Sequence, residues 1–268
     1  MNTPKCRPPA VAGMFYPAEE EVLRRQLSRY MDQATGRPSS IQPKAIISPH
    51  AGYMYSGPVA AIGYRQVQMF RESIKRVVII GPSHRVWLKG MAASTFSSFN
   101  TPLGDIPLDM EGMARLTTRY PAIQYEDTAH QEEHSLEVQL PFLQLILDNF
   151  QIIPLVVGDA DPEDVAAVIL DQWQEPATLT VISSDLSHYL TYTQAQVIDR
   201  RTAEAINSLD PAGLSDDSAC GRIPIRGLLL AAKKCDLRVQ ELDLRNSGDT
   251  AGSRDQVVGY GAWAFFSD

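Results

Sequence analysis

Short, continuous apolar runs recur along the chain, and turn residues bound most of them. Such runs are typical of strands that are buried on both faces of a sheet. The predicted strands are Ala45–Ser48, Arg76–Gly81, Ile152–Val157, Leu179–Ser183, Leu237–Leu244 and Gln256–Phe266. Pro154 interrupts the third run, and since proline lacks a backbone N–H, we expect that strand to lie near a sheet edge.

Apolar residues at helical spacing predict amphipathic helices between these strands. The first is expected over Ala18–Ala34, with three glutamates in its first turn, where the helix dipole favours acidic groups. The others are expected near Val59–Phe70, Met110–Arg119, Leu136–Asn149, Pro162–Trp173, Tyr192–Ser208 and Pro224–Cys235.

Strands that alternate with helices predict an α/β fold. We expect a three-layer sandwich in which helices cover both faces of a central mixed sheet. Closely spaced turn residues within Met91–Pro107 indicate that part of the sheet is antiparallel. No repeat or linker divides the sequence, so we expect a single domain over residues 1–268.

Composition and charge narrow the classes of function. Hydrophobic residues make up 44% of the 268 residues, which indicates a globular protein with a core. The formal net charge of −8 repels phosphate backbones, so we expect no nucleic-acid partner. No apolar run reaches the ~20 residues that cross a bilayer, so no membrane partner is expected. Three scattered cysteines favour a reducing, cytoplasmic location over a disulfide framework.

Three of the five histidines come directly after predicted strands. His50, His84 and His188 follow the first, second and fourth strands. Ligands of open α/β sheets bind beyond the carboxyl ends of the strands, and neutral imidazole is the commonest metal ligand in proteins. We therefore predict that the three side chains converge on one site. Nearby glycines are expected to allow sharp turns and close ligand approach, and these are Gly52, Gly57 and Gly81.

The segment His130–His134 has the H-x-x-E-H spacing of one group of zinc peptidases. Its surroundings are polar, which favours a loop over the helix that places two such histidines on one face. We prefer the alternative that this loop covers a site which His134 enters, while His130 is more exposed.

The three cysteines have different surroundings. Cys220 precedes the last predicted helix, where the helix N-terminus and Arg222 would favour its thiolate. Cys235 ends an apolar helix and is expected to pack as a small hydrophobic residue. Cys6 is expected to be a free surface thiol.

Ten sequence blocks resemble the Memo family, and they run in order over nearly the whole chain. They are Arg7-Pro8, Ala12–Pro17, Pro49–Tyr53, Ser56-Gly57, Gly81–His84, Glu133–Phe142, Ser183–His188, Cys220–Arg222, Asn246–Thr250 and Val257–Ala262. Bacterial and archaeal members carry the label AmmeMemoRadiSam system protein B. The resemblance implies a fold related to class III extradiol dioxygenases, which are non-haem iron enzymes that cleave catechol rings.

The resemblance also implies a mononuclear metal site and a set of catalytic residues. The implied metal ligands are His50, His84 and Cys220. The implied catalytic residues are His188, at the acid/base position, with Asp185 and His134 nearby. The dioxygenases complete their iron site with a carboxylate, whereas a thiolate shifts the preference toward copper(I), zinc or thiolate-bound iron. We expect one metal ion, with iron(II) first and copper or zinc as alternatives.

Three functions stay open. The first is an oxidoreductase in which His188 acts as general acid/base and Asp185 orients it. The second is a non-enzymatic, metal-dependent binding or adaptor protein for a small molecule, a peptide or an anionic ligand. The third is a zinc hydrolase that uses His130 and His134. The family label further implies a functional link to a radical S-adenosylmethionine protein and an AMMECR1-like protein.

Overall fold

The computed structural model describes residues 5–267 of the chain. Its strands are β1 (Cys6–Arg7), β2 (Ala45–Ser48), β3 (Arg76–Pro82), β4 (Met91–Ala93), β5 (Ser98–Thr101), β6 (Gly104–Pro107), β7 (Ile123–Tyr125), β8 (Gln151–Val157), β9 (Thr178–Ser183), β10 (His188–Leu190), β11 (Arg238–Asn246) and β12 (Val257–Phe266). Its α-helices are α1 (Glu20–Gln33), α2 (Tyr53–Arg65), α3 (Met110–Arg119), α4 (Thr128–Gln131), α5 (Leu140–Ile146), α6 (Pro162–Gln172), α7 (Tyr192–Asn207) and α8 (Arg222–Lys234).

A nine-stranded mixed sheet forms the centre of the molecule. Its order is β10-β12-β2-β9-β3-β8-β4-β7, with β11 paired to β12. Strands β2, β9, β3 and β8 run parallel, whereas β12 and β4 pair antiparallel with β2 and β8. Helix α2 packs against β2 and β12, and α8 packs against β3 and β9. The predicted α/β fold with a helix-flanked mixed sheet is therefore confirmed.

The buried parallel strands match their predicted bounds closely, because every residue of β2 and β9 is buried. The helices agree less uniformly with their predicted bounds. Helix α3 has its predicted bounds, but α2 begins at Tyr53, six residues before the expected start. Helix α5 is shorter than predicted, since a 3₁₀ turn over Glu137–Gln139 precedes it. No helix within residues 5–267 is long and apolar enough to cross a membrane.

Helix α2 includes Gly57 and Pro58, two residue types that disfavour helix interiors, and so it begins earlier than predicted. A Cβ at position 57 would come within 2.6 Å of the Tyr30 ring on α1, so the glycine permits close helix packing. The sharp turn expected at Gly57 is therefore wrong. Pro58 cannot donate to the carbonyl of Met54, but Met54 is exposed, so water can satisfy that oxygen.

The position of β8 corrects the expectation drawn from Pro154. Strand β8 lies between β3 and β4 and not at an edge. Short β4 pairs only with Val156 and Val157, so β8 has no β4 residue opposite Pro154. An interior strand tolerates this proline because the neighbouring strand stops before reaching it.

Candidate metal centre

The loops after β2 and β3 and the turn before α8 bring three metal-ligating side chains together. His50, His84 and Cys220 each offer one ligand atom, and these atoms lie within 4.8 Å of one another. The Sγ atom of Cys220 is 3.3 Å from Nε2 of His50. Strands β2 and β3 both run parallel to β9, so their carboxyl ends lie at one edge of the sheet. This edge brings together the three residues that the family resemblance implied as ligands.

Hydrogen bonds hold both histidines in one orientation. The Nδ1 atom of His50 is 2.9 Å from Oγ of Ser183, and that hydroxyl donates to the backbone oxygen of Ser135. Ser183 Oγ therefore accepts from His50. The Nδ1 atom of His84 is 2.9 Å from Oε1 of Glu133. These partners assign the proton to each Nδ1 and leave each Nε2 lone pair for a metal ion.

The donor set fits a cation. Burial and the neighbouring imidazoles lower the pKa of His50, so it is neutral at pH 7. Burial and the nearby Asp185 raise the pKa of the Cys220 thiol to about 12. A bound cation supplies the positive charge that deprotonates such a thiol. Arg222 does not fill the role that we expected, because it pairs with Asp216 at 3.1 Å.

Glu133 is a buried carboxylate beside the site, and the sequence did not single it out as a functional residue. Burial alone would raise its pKa, but hydrogen bonds from His84 hold the pKa at about 2. Its oxygens also accept from the backbone N–H groups of His84 and Ser135. The charged carboxylate makes His84 a stronger ligand. Its position next to His134 in the sequence indicates that Glu133 lies near the site. Only the fold shows that it is hydrogen-bonded to His84.

The three predicted catalytic residues line the same cavity of about 800 Å³ as the metal-ligating side chains. The His134 ring stacks on His84 with centroids 4.6 Å apart, and burial lowers the pKa of His134 to about 4. Burial also lowers the pKa of His188 and raises that of Asp185 to about 7. The Asp185 Oδ1 atom accepts from the backbone N–H of His50 at 2.8 Å. Its partner is therefore His50, and not His188 as we expected.

His130 lies away from this cavity, and it is only 1% exposed. The expectation that it is more exposed than His134 is wrong. Its Nε2 atom is 3.1 Å from the backbone oxygen of Ala92, and its ring lies edge-on to Phe99. In the part of the chain that the structure describes, His130 belongs to no group of candidate metal ligands. The zinc-peptidase interpretation fails because its two histidines lie in different environments.

A buried ion pair holds the N-terminal segment (residues 7–17) against the loop that carries Glu133. Arg7 Nη1 and Glu137 Oε2 are 2.6 Å apart, and both side chains are at most 1% exposed. Arg7 also donates to the backbone oxygen of Glu133 at 2.8 Å. Glu137 accepts three more hydrogen bonds from residues 10 to 16. The segment thereby places Phe15 on the cavity wall, with its ring centroid 4.9 Å from that of His134.

The two cysteines outside the site are both exposed. This agrees with the expectation for Cys6. It contradicts the expectation for Cys235, which follows the last turn of α8, where solvent reaches the thiol.

The fold and the cluster define an α/β protein with a candidate His/His/Cys metal site. The model of the Memo-like protein family matches residues 7–264. MEMO1 family proteins of Methanopyrus kandleri and Aquifex aeolicus are each 35% identical to the chain. The alignments cover 97% and 96% of the chain and 98% and 97% of these relatives. The chain therefore belongs to the Memo family.

A solved structure supports the fold independently. The "uncharacterized protein JW3007 from Escherichia coli K12" superposes with a TM-score of 0.51 at 11% identity. The match covers 84% of this chain and 100% of that protein. At such low identity the likeness concerns the fold alone.

Proposed function

We propose that the protein is an oxidoreductase that depends on a single metal ion held by His50, His84 and Cys220. The carrying observation has two parts. Ser183 and Glu133 occupy the two Nδ1 atoms, which leaves both Nε2 lone pairs for a metal ion. One nitrogen of each histidine also lies within 4.8 Å of the Cys220 sulfur. Three protein ligands leave coordination positions open, as a catalytic metal requires. Iron(II) is proposed first, and copper and zinc are the alternatives, because two imidazoles and a thiolate suit all three metals.

A bound iron or copper ion would supply redox chemistry with oxygen as the oxidant, whereas zinc would not. The chain's own residues would bind the substrate and move its protons. The cavity of about 800 Å³ accommodates a small molecule. His188 is neutral because burial lowers its pKa, so it can accept a substrate proton as general base. Asp185 accepts a hydrogen bond from the backbone N–H of His50 and so holds the loop that carries this histidine. Phe15 packs on His134 and shields that side of the cavity from water.

Metal analysis of protein purified without added metal tests the site. We expect a single ion in the wild type, its loss in His84→Ala and Cys220→Ser, and its retention in His130→Ala. The last variant is the matched control because His130 lies outside the cluster, and circular dichroism verifies that each variant is folded. Equal metal content in all four proteins would overturn the assigned ligands.

Oxygen uptake tests the reaction. The metal-free protein is reconstituted with iron(II) without oxygen, and uptake is then measured over a panel of catechols. We expect uptake with at least one of them and its loss in His188→Ala. If no catechol supports uptake with iron or copper, the oxidoreductase proposal is wrong even where the metal binds.

The exposed rim of the cavity, formed by Met14 and Tyr189, favours a second candidate function. These side chains are 72% and 71% exposed, so a ligand that extends beyond the cavity can contact both. We propose as the alternative a non-enzymatic, metal-dependent binding or adaptor protein for a peptide or an anionic ligand. Peptide titration with and without metal tests it. Binding that ignores both the metal and His50→Ala contradicts this alternative.

Two further proposals concern the protein in the cell. The family label supports a functional link to a radical S-adenosylmethionine protein and an AMMECR1-like protein, which co-purification after co-expression tests. The free, exposed thiols of Cys6 and Cys235 support a cytoplasmic location, since thiols stay reduced there. Cell fractionation tests this location.

A further inference from the structure

Tyr189 has a backbone conformation that a tyrosine rarely adopts. Its φ is 58°, in the left-handed region that favours glycine or asparagine. His188 of β10 pairs with Val258 of β12, while Leu190 pairs with Val257, so the register shifts at Tyr189. Tyr189 is thus the extra residue of a β-bulge. Bulges beside active sites re-aim side chains.

The hydrophobic core does not compensate for this conformation. The Tyr189 side chain is 71% exposed, so little of its ring is buried by the protein itself. The ring lines the cavity and lies 5.8 Å from the His188 ring, centroid to centroid. Met14, which is equally exposed, lines the same cavity. An exposed aromatic ring at a cavity offers a face on which a ligand can pack.

Several aromatic side chains form the walls of the cavity. Phe15, Tyr55 and Tyr260 line it together with Tyr189. Among residues 5–267, no lysine or arginine belongs to the lining. In the metal-free protein a phosphate or carboxylate would therefore find no lysine or arginine there, whereas an uncharged ring would meet aromatic faces and edges.

We propose that Tyr189 is a specificity-determining residue, the aromatic wall against which the cavity holds an uncharged aromatic ring of its ligand. The bulge places this wall directly beside His188, so the bound ring lies next to the predicted base. The inference rests on the proposed function because it concerns the same cavity. It requires no bound metal, and so it can be tested separately.

Titration of metal-free protein with three small probes tests the proposal. The probes are p-cresol, an uncharged ring; 4-methylcyclohexanol, of similar size without a π-system; and phenyl phosphate, an anionic ring. Binding is followed by chemical-shift changes of the protein. We expect p-cresol to bind more tightly than either of the other probes.

Variants assign the preference to the ring of Tyr189. Tyr189→Phe should bind p-cresol as the wild type does, while Tyr189→Asn should bind it about 2–10-fold more weakly, since an aromatic pair contributes that much. Tyr125→Asn is the matched control, because Tyr125 is 42% exposed and lies outside the cavity lining. It should leave the affinity unchanged.

Thermal unfolding separates a ligand role from a structural one. Asparagine tolerates the left-handed conformation, so Tyr189→Asn should melt at the same temperature as the wild type or higher, although its binding is weaker. The proposal is overturned if p-cresol shows no saturable binding, if Tyr189→Asn keeps wild-type affinity, or if phenyl phosphate binds more tightly than p-cresol. None of these outcomes changes the metal content on which the proposed function depends.

Discussion

The back of the cavity and its rim are built in opposite ways. At the back, His50 and His84 are each bonded to a fixed partner, and Glu133 is almost fully buried. At the rim, Met14 and Tyr189 are both more than 70% exposed. The back is preorganised to hold an ion, whereas the rim can adapt to a ligand. Substitutions behind the cavity should therefore reduce stability or metal affinity, and those at the rim should change ligand binding alone.

Removal of the Glu137 charge should have the largest effect. Glu137→Gln leaves Arg7 buried without its counter-ion, and breaking a buried pair in this way costs about 3–5 kcal/mol. Urea unfolding measures the loss. The control Lys234→Met breaks the exposed pair with Glu163 and should cost about 0–1 kcal/mol. A similar cost in both variants would mean that the Arg7–Glu137 pair does not hold the N-terminal segment.

The buried His130 should make stability depend on pH. Burial lowers its folded pKa from 6.5 to about 4, so the unfolded chain binds the extra proton between these values. Its contribution is fully present above pH 6.5 and is lost as the pH falls toward 4, amounting to about 3 kcal/mol. Unfolding of metal-free His130→Gln at several pH values should show a shallower slope in this window. An unchanged slope would contradict the assignment.

Loss of the Glu133 charge should lower the metal affinity without removing a metal ligand. Glu133→Gln keeps the ligand set but removes the carboxylate that orients His84, and such changes cost about 10–100-fold in metal affinity. Competition with a chelator measures the affinity. The neighbouring Glu132 is exposed, so Glu132→Gln is the matched control and should bind metal as the wild type does.

The smallest effect is expected at the rim. Met14→Ala removes an exposed side chain, so the free energy of unfolding should change by less than about 0.5 kcal/mol. Metal affinity should not change. Leu27→Ala, at a fully buried position of α1, provides the contrast, with an expected loss of about 2–5 kcal/mol. A large loss of stability in Met14→Ala would contradict the claim that rim side chains, unlike those at the back of the cavity, do not stabilise the fold.

Local patterns predict features that depend on near neighbours. The runs of β2 and β9 are apolar because both faces are buried, and this burial is visible in the sequence. His50 and His84 were predictable because the carboxyl ends of parallel strands meet at one edge. Cys220 follows no such rule, and only the family resemblance placed it with them.

Long-range partners were not predictable in the same way. Ser183 lies 133 residues from His50, and Glu133 lies 49 residues from His84. The polar neighbours of His130 indicated exposure, but its bond to Ala92 comes from a distant strand. Such contacts depend on tertiary packing, which hydrophobic periodicity does not encode.

The ion pair between Arg7 and Glu137 also has a consequence for biosynthesis. Its members are 130 residues apart, so the ribosome makes Glu137 long after Arg7. At about 5–20 residues per second, roughly 6–25 s separate the synthesis of Arg7 from that of Glu137. Arg7 is thus synthesised well before the carboxylate that neutralises its charge in the folded protein. Until Glu137 is made, the N-terminal segment cannot form these contacts, and the cavity wall that includes Phe15 stays incomplete.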